Sequence, residues 1–155
     1  MMKTIDIRVN EELIMKYYPC REGLDNFNKH YKDISIKEFI NSEKISYDDK
    51  IWLLRIIVPK ELMFLWAIDS SFAAYKNSVI SSNYYTITAA ANAAYYAANG
   101  AYYAANAADA ANAAANAPYY AVNASREVIG GSVLNTIDAQ KERLQALLYF
   151  IENEG

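Results

Sequence analysis

The residues able to do chemistry are few and scattered. His30 is the only histidine and Cys20 the only cysteine. A zinc site built from several imidazoles is therefore excluded, and neither a CxxC nor an HExxH spacing occurs. Cys20 and His30 stand ten residues apart, on helical faces that do not coincide well, so the spacing does not describe a thiolate–imidazole nucleophile. Cys20 reads as a small buried hydrophobe on a stripe shared with Leu24, Phe27 and Tyr31. Asp48 and Asp49 are adjacent carboxylates, but in the first turn of a helix they complement its dipole. Asp69 interrupts the apolar neighbours Trp66, Ile68 and Phe72, and Arg55 or Lys76 is its expected partner. Gly130–Gly131 is too short to cradle a phosphate. No catalytic residue, metal site or cofactor is expected, and the chain reads as a non-enzyme.

Recognition chemistry is concentrated elsewhere. Between Lys76 and Arg126 the only charged residue is Asp109. Cut in sevens from residue 90, the stretch reads AANAAYY, AANGAYY, AANAADA, ANAAANA, PYYAVNA. Asn92, Asn99 and Asn106 share one heptad position, and the pairs Tyr95–Tyr96 and Tyr102–Tyr103 share two others. An ideal helix drifts only ~20° per heptad, so each set forms a nearly continuous row. Tyrosine offers large contact area at low entropy cost, and asparagine offers a donor and an acceptor at one point. The candidate partner- or ligand-binding residues are Tyr95, Tyr96, Asn99, Tyr102, Tyr103, Asn106, Asp109, Tyr119 and Tyr120. Such rows suit a protein interface, and they also suit a nucleotide-like molecule held by stacking and edge hydrogen bonds. The competing reading is structural: alanine rows let helices approach closely, and tyrosines fill the gaps at their edges. An ice-binding array is disfavoured because paired tyrosines interrupt it.

The elements that must position these residues are helical. Asn10 is an N-cap with Glu11 and Glu12 in the first turn, and Val9 stands ready to staple Ile14. Pro19 separates this helix from the next. Ser35 and Glu38 form a capping box, flanked by Ile34 and Phe39 at the staple positions. Ser46 caps the run Ile51–Val58, which Pro59 ends. The following helix carries Phe64, Ile68, Phe72, Tyr75 and Val79 as its apolar stripe. The alanine-rich segment is expected to be helical to Pro118, either as one helix bent at Gly100 or as two antiparallel ones. A final helix capped by Ser132 turns Leu134, Ile137, Leu144, Leu148 and Ile151 inward, with Gln140, Lys141, Glu142 and Arg143 on its solvated side. At the N-terminus Ile5, Ile7 and Val9 alternate with polar residues as in a strand. With no evident second strand, this segment is expected to remain an arm or to pair with its copy in another subunit.

The expectation is an all-α fold: a compact multi-helix bundle around a central Ala/Tyr/Asn-rich helix, with a short extended N-terminal arm or strand. The 155 residues read as one helical domain. Residues 1–9 form the arm, 10–80 the N-terminal helices, 84–124 the alanine-rich segment and 132–152 the C-terminal helix.

Composition limits the partners. The apolar fraction of 54 % is inflated by alanine, and the net charge of −3 comes from mixed acids and bases without a basic stripe. Duplex DNA is therefore not an expected partner. Recurring asparagines in the alanine segment argue against a membrane span. One cysteine and a charged, alternating Met1–Asn10 point to a cytoplasmic home. A helix so poor in charge needs covering along its length, by its own domain, a twin subunit or a partner, and a homo-oligomer, as a dimer, is expected.

Three stretches resemble those of alanine-rich immunity proteins of bacteria and phages. Tyr17–Phe27 (YYPCREGLDNF) is similar to their opening motif of Cys, Glu-Gly-Leu and an aromatic. Asp49–Arg55 (DKIWLLR) is similar to the Trp-Leu-Leu helix that follows. Gln140–Leu148 (QKERLQALL) resembles their closing helix, and the Ala/Tyr/Asn tract lies between. The resemblance implies a non-catalytic immunity or counter-defence role, in which the chain binds and neutralises a toxin or host defence protein. The alternatives are an oligomeric sponge for a nucleotide-like immune signal and a purely structural assembly module.

Overall fold

In the computed structural model, which describes residues 2–81, 84–105, 110–132 and 136–154, the N-terminal helices begin at their caps. Asn10 Oδ1 accepts the Leu13 N–H at 2.9 Å to open α1, Glu11–Met15. Cys20 caps α2, Arg21–His30, its Sγ accepting the Gly23 N–H at 3.3 Å. The cysteine is exposed, so it is a cap and not the buried hydrophobe its stripe suggested. Ser35 Oγ accepts the Glu38 N–H at 3.1 Å, and Glu38 accepts the Ser35 N–H at 2.8 Å, opening α3, Ile36–Asn41. That backbone N–H, aided by the Ser35 hydroxyl, holds the Glu38 carboxyl below its usual range. Ser46 Oγ accepts the Asp49 N–H at 3.1 Å at the start of α4, Tyr47–Ile57.

The N-terminal extended segment does find a partner within the chain. After a 3-10 turn at Thr4–Asp6, β1 (Arg8–Asn10) pairs antiparallel with β2 (Asp33–Ser35), Val9 opposite Ile34. Val9 and Ile34 are buried, and Arg8 Nε donates to Asp33 Oδ1 at 2.7 Å across the pair. Pairing inside the chain corrects both the free arm and the strand-mediated dimer.

Four long helices follow: α5 (Lys60–Ser81), α6 (Tyr84–Ala105), α7 (Ala110–Gly131) and α8 (Thr136–Glu152). The alanine-rich segment is thus two helices. Each spans about 33 Å at 1.5 Å per residue. They pack along one another across the short connection 106–109, a connection that forces antiparallel directions. α6 runs on through Gly100, which is buried inside it. Pro118 does not end its helix either, since α7 runs on through it to Gly131. The helix starts there well before the proline, and burial of Pro118, Ala121 and Val122 compensates for the lost amide.

Alanine does what its small size allows. Ala89, Ala93 and Ala97 of α6 are buried, as are Ala121 and Ala124 of α7. Ala74, Ala93 and Val128 bring α5, α6 and α7 together in one tight seam. The larger core joins Leu53, Leu54, Met63, Trp66, Leu147 and Ile151, so α4, α5 and α8 share one apolar interior.

Four expectations for α5 and α8 are overturned. The inward face of α5 is Met63, Trp66, Ala67, Ser70 and Ala74, all buried, whereas Phe72, Tyr75 and Val79 are exposed. Small residues on the first face admit α6 and α7 closely, which the ring-bearing stripe does not. Arg143 is also buried, not solvated: its Nη1 meets Asp69 Oδ2 at 2.7 Å and Ser70 Oγ at 3.2 Å. Asp69 therefore pairs with α8 rather than with Arg55 or Lys76. Trp66 Nε1 donates to the Arg143 carbonyl at 2.9 Å, fixing the same junction. Leu144, Leu148 and Ile151 face inward as expected, but Ile137 is exposed because α8 begins at Thr136 and its first turn lies beyond the core. The cap expected at Ser132 directly follows α7, and Leu134 lies outside the described residues.

Candidate binding surface on the tyrosine rows

The double tyrosines divide their work by position. Tyr96 of α6 leans on the core, and half-buried Tyr120 of α7 stands with its ring centroid 6.1 Å from that of Tyr96. Tyr95 packs edge-on against Tyr96 at 5.6 Å, and Tyr119 packs edge-on against Tyr120 at 5.4 Å. The four rings form a continuous ladder, Tyr95–Tyr96–Tyr120–Tyr119, tilted at its centre and edge-to-face at its two ends, the latter a geometry aromatic quadrupoles favour. Antiparallel helices explain the ladder, since Tyr96 and Tyr120 lie nearly equally far from their connection.

The ends of the ladder face water. Tyr95 is 62 % exposed and Tyr119 53 %, and Tyr102, seven residues beyond Tyr95, is 64 % exposed. Tyr95 and Tyr102 form one outward row on α6. A tyrosine whose ring rests on another ring has already lost much of its rotational freedom, so Tyr95 and Tyr119 are pre-ordered for contact.

Asn99 Nδ2 donates to the Tyr95 carbonyl at 3.0 Å within α6, so its amide is used by its own helix. Asn106 and Asp109 lie outside the described residues, as does the side chain of Tyr103.

A second feature joins the two N-terminal motifs. Residues of Tyr17–Phe27 and of the α4 start surround a cavity of about 270 Å³ lined by Cys20, Leu24, Phe27, Asp49, Trp52 and Leu53 among others. Gly23 in its wall is closely approached: a Cβ there would lie 3.1 Å from Cys20 Sγ and 3.2 Å from Asp49 Oδ1, so those side chains would have to give way slightly. Beside it Tyr18 holds φ at 54° with its ring 92 % exposed, a left-handed conformation that non-glycine residues adopt at a cost. Composition and periodicity gave no hint of Tyr18; the signal available was its place in the opening motif.

Comparisons with family models, with curated proteins and with solved structures find no match. Among the described residues no helix is long and apolar enough to cross a membrane.

Proposed function

We propose that this chain is a non-catalytic immunity or counter-defence protein of bacteria or their phages, which acts in the cytoplasm by binding and neutralising a toxin or host defence protein. The observation that carries the reading is the pre-ordered tyrosine ladder with its exposed ends on a surface almost free of charge. Aromatic anchors resting on fixed neighbours are the common currency of protein–protein hot spots. The resemblance of Tyr17–Phe27 and Asp49–Arg55 to immunity proteins supports the biological setting, and both stretches border one cavity.

The test is capture and rescue. The tagged chain is expected to retain one protein from lysate of a bacterial host or of a phage-infected culture. Co-expression with that protein is then expected to restore growth that it alone suppresses. The double substitution Tyr95→Ala with Tyr119→Ala removes only exposed rings, so helical content holds while capture falls at least about tenfold. Undiminished capture and rescue by the double variant sinks the assignment to the ladder. Release of a nucleotide-like molecule on denaturation, with no protein retained, replaces the reading with that of a sponge.

A further inference from the structure

Helix α5 is apolar on two opposite faces, and only one of them is covered. Its inner face is filled by α6, α7 and α8 through Trp66, Ser70 and Ala74. On the opposite face Phe72, Tyr75 and Val79, spaced three and four, each leave more than three-fifths of their area in water. A helix that is apolar all round is normally enclosed all round. The neighbouring helix continues the patch, because Tyr84 and Ile87 of α6 are exposed as well. The two helices meet in an open groove walled by Phe72 and Tyr75 on α5 and floored by Ala90, Ala91 and Ala94 on α6.

We propose that a second copy of this chain covers this outer face of α5 and α6, forming a two-fold symmetric dimer. Three observations choose that occupant. First, the patch contains both halves of its own complement: an aromatic ridge, Phe72 and Tyr75, lies beside an alanine-floored groove. An isologous interface needs that arrangement, since the ridge of each copy enters the groove of the other. Second, α6 carries no charged residue over its whole length, and Lys76 is the one charge of the last two turns of α5. A partner recognised by charge has nothing to read here, whereas two copies meet without like charges opposed at the centre. Third, the area is sufficient. At ~200 Å² for a full aromatic or large aliphatic side chain, the five exposed residues and the groove offer on the order of 700 Å² per copy. A standard interface takes ~800 Å² from each partner. The ladder reaches α7 through Tyr96 and Tyr120, while Tyr95 stands one turn beyond Ala91 on α6, so the dimer and the neutralising reading are told apart by substitutions on α5.

Sedimentation velocity of the full chain across a concentration series tests the dimer. The expected result is a species of twice the 17.5 kDa chain mass at micromolar concentration. Phe72→Glu forces a carboxylate against an apolar surface at the interface centre. It is expected to weaken dimerisation by about 100-fold or more, with unchanged circular dichroism. Ala91→Leu fills the groove without adding charge and is expected to weaken the dimer in the same direction. A wild-type chain that stays monomeric at ~100 μM overturns the proposal, given interface affinities of this size. So does a dimer that survives both substitutions. Flotation of a monomeric wild-type chain with phosphatidylcholine vesicles also overturns it, since the face then serves lipid. Partner capture by Phe72→Glu is read in parallel: a monomer that still captures its target separates the failure of one reading from the failure of the other.

Discussion

The guanidinium of Arg143 is enclosed between α8 and α5, with Asp69 and Ser70 as its acceptors and the exposed Glu142 carboxylate 3.7 Å from Nη2. Its Nε finds none among the described residues, so the charge depends heavily on Asp69. Losing that acceptor leaves a desolvated cation, which costs more than losing the cation itself. Because Asp69 is partly exposed, the full buried-pair penalty is discounted: Asp69→Asn is expected to lower stability by about 1–3 kcal/mol. Adding Arg143→Met is expected to recover most of it, as read by urea denaturation. A second pair sets the response to alkali. Burial, and then the nearby Lys141 charge, pulls the Lys50 ammonium below its ordinary 10.5, while its Nζ donates to the Ser42 carbonyl. Burial pushes the Tyr47 phenol above 10.0, opposed chiefly by its hydrogen bond with Ser125. For Lys50 the unfolded chain holds its proton longer, so stability rises as pH climbs toward 10.5. For Tyr47 the unfolded chain ionises first, so stability falls as pH passes above 10.0. Urea midpoints taken from about pH 8 to 11 are expected to rise and then drop, and Tyr47→Phe is expected to keep the rise and flatten the drop. Residues of this kind are hard to read from sequence. Arg143 sits in a run of polar residues that looks solvated, and nothing local says that a tryptophan and an aspartate wait opposite.

Helix starts, by contrast, were written in a few adjacent residues, because a cap is a contact between positions three apart. Asn10, Ser35 and Ser46 all cap as their sequences indicate. Strand β2 escaped notice because three residues are too few to display alternation, and its register depends on Val9, twenty-five positions earlier. Helix α5 shows a subtler limit: periodicity finds an apolar face, but when two exist it does not say which turns inward. Here the small residues decided, since Ala67, Ser70 and Ala74 admit neighbours that Phe72 and Tyr75 would hold away. The tyrosine rows followed the same logic. Heptad spacing placed them on rows, and only the meeting of α6 with α7 turned Tyr96 and Tyr120 inward and left Tyr95 and Tyr119 out. The alanine seam is correspondingly sensitive. Ala93→Leu inserts three carbons between α5, α6 and α7 and is expected to cost about 1–3 kcal/mol. Ala98→Leu, on the exposed side of the same helix, is expected to leave the urea midpoint nearly unchanged.

At the scale of the molecule, α8 is the piece that ties the parts together. Leu144, Leu147 and Ile151 enter the common core, the Arg143 carbonyl holds the Trp66 indole, and Lys37 Nζ reaches Glu152 at 2.7 Å. The backbone N–H of Thr4 donates to Glu154 Oε2 at 2.6 Å, so the two ends of the described chain touch. A chain ending at Ser132 is expected to keep much of its helix signal but to lose cooperative unfolding and to bind a hydrophobic dye, as loosely packed states do.

That dependence on α8 has a temporal meaning. Synthesis runs from the amino end, so α4 and α5 leave the ribosome well before the helix that completes their interior. Until residues 136–152 emerge, Trp66 lacks its acceptor and Asp69 its cation, and the nascent bundle presents apolar surface on both sides of α5. A message cut short or a ribosome stalled near the end would then yield a product that is helical but unfinished, a natural substrate for chaperones and proteases. Emergence of residues 136–152 is the step at which this interior closes.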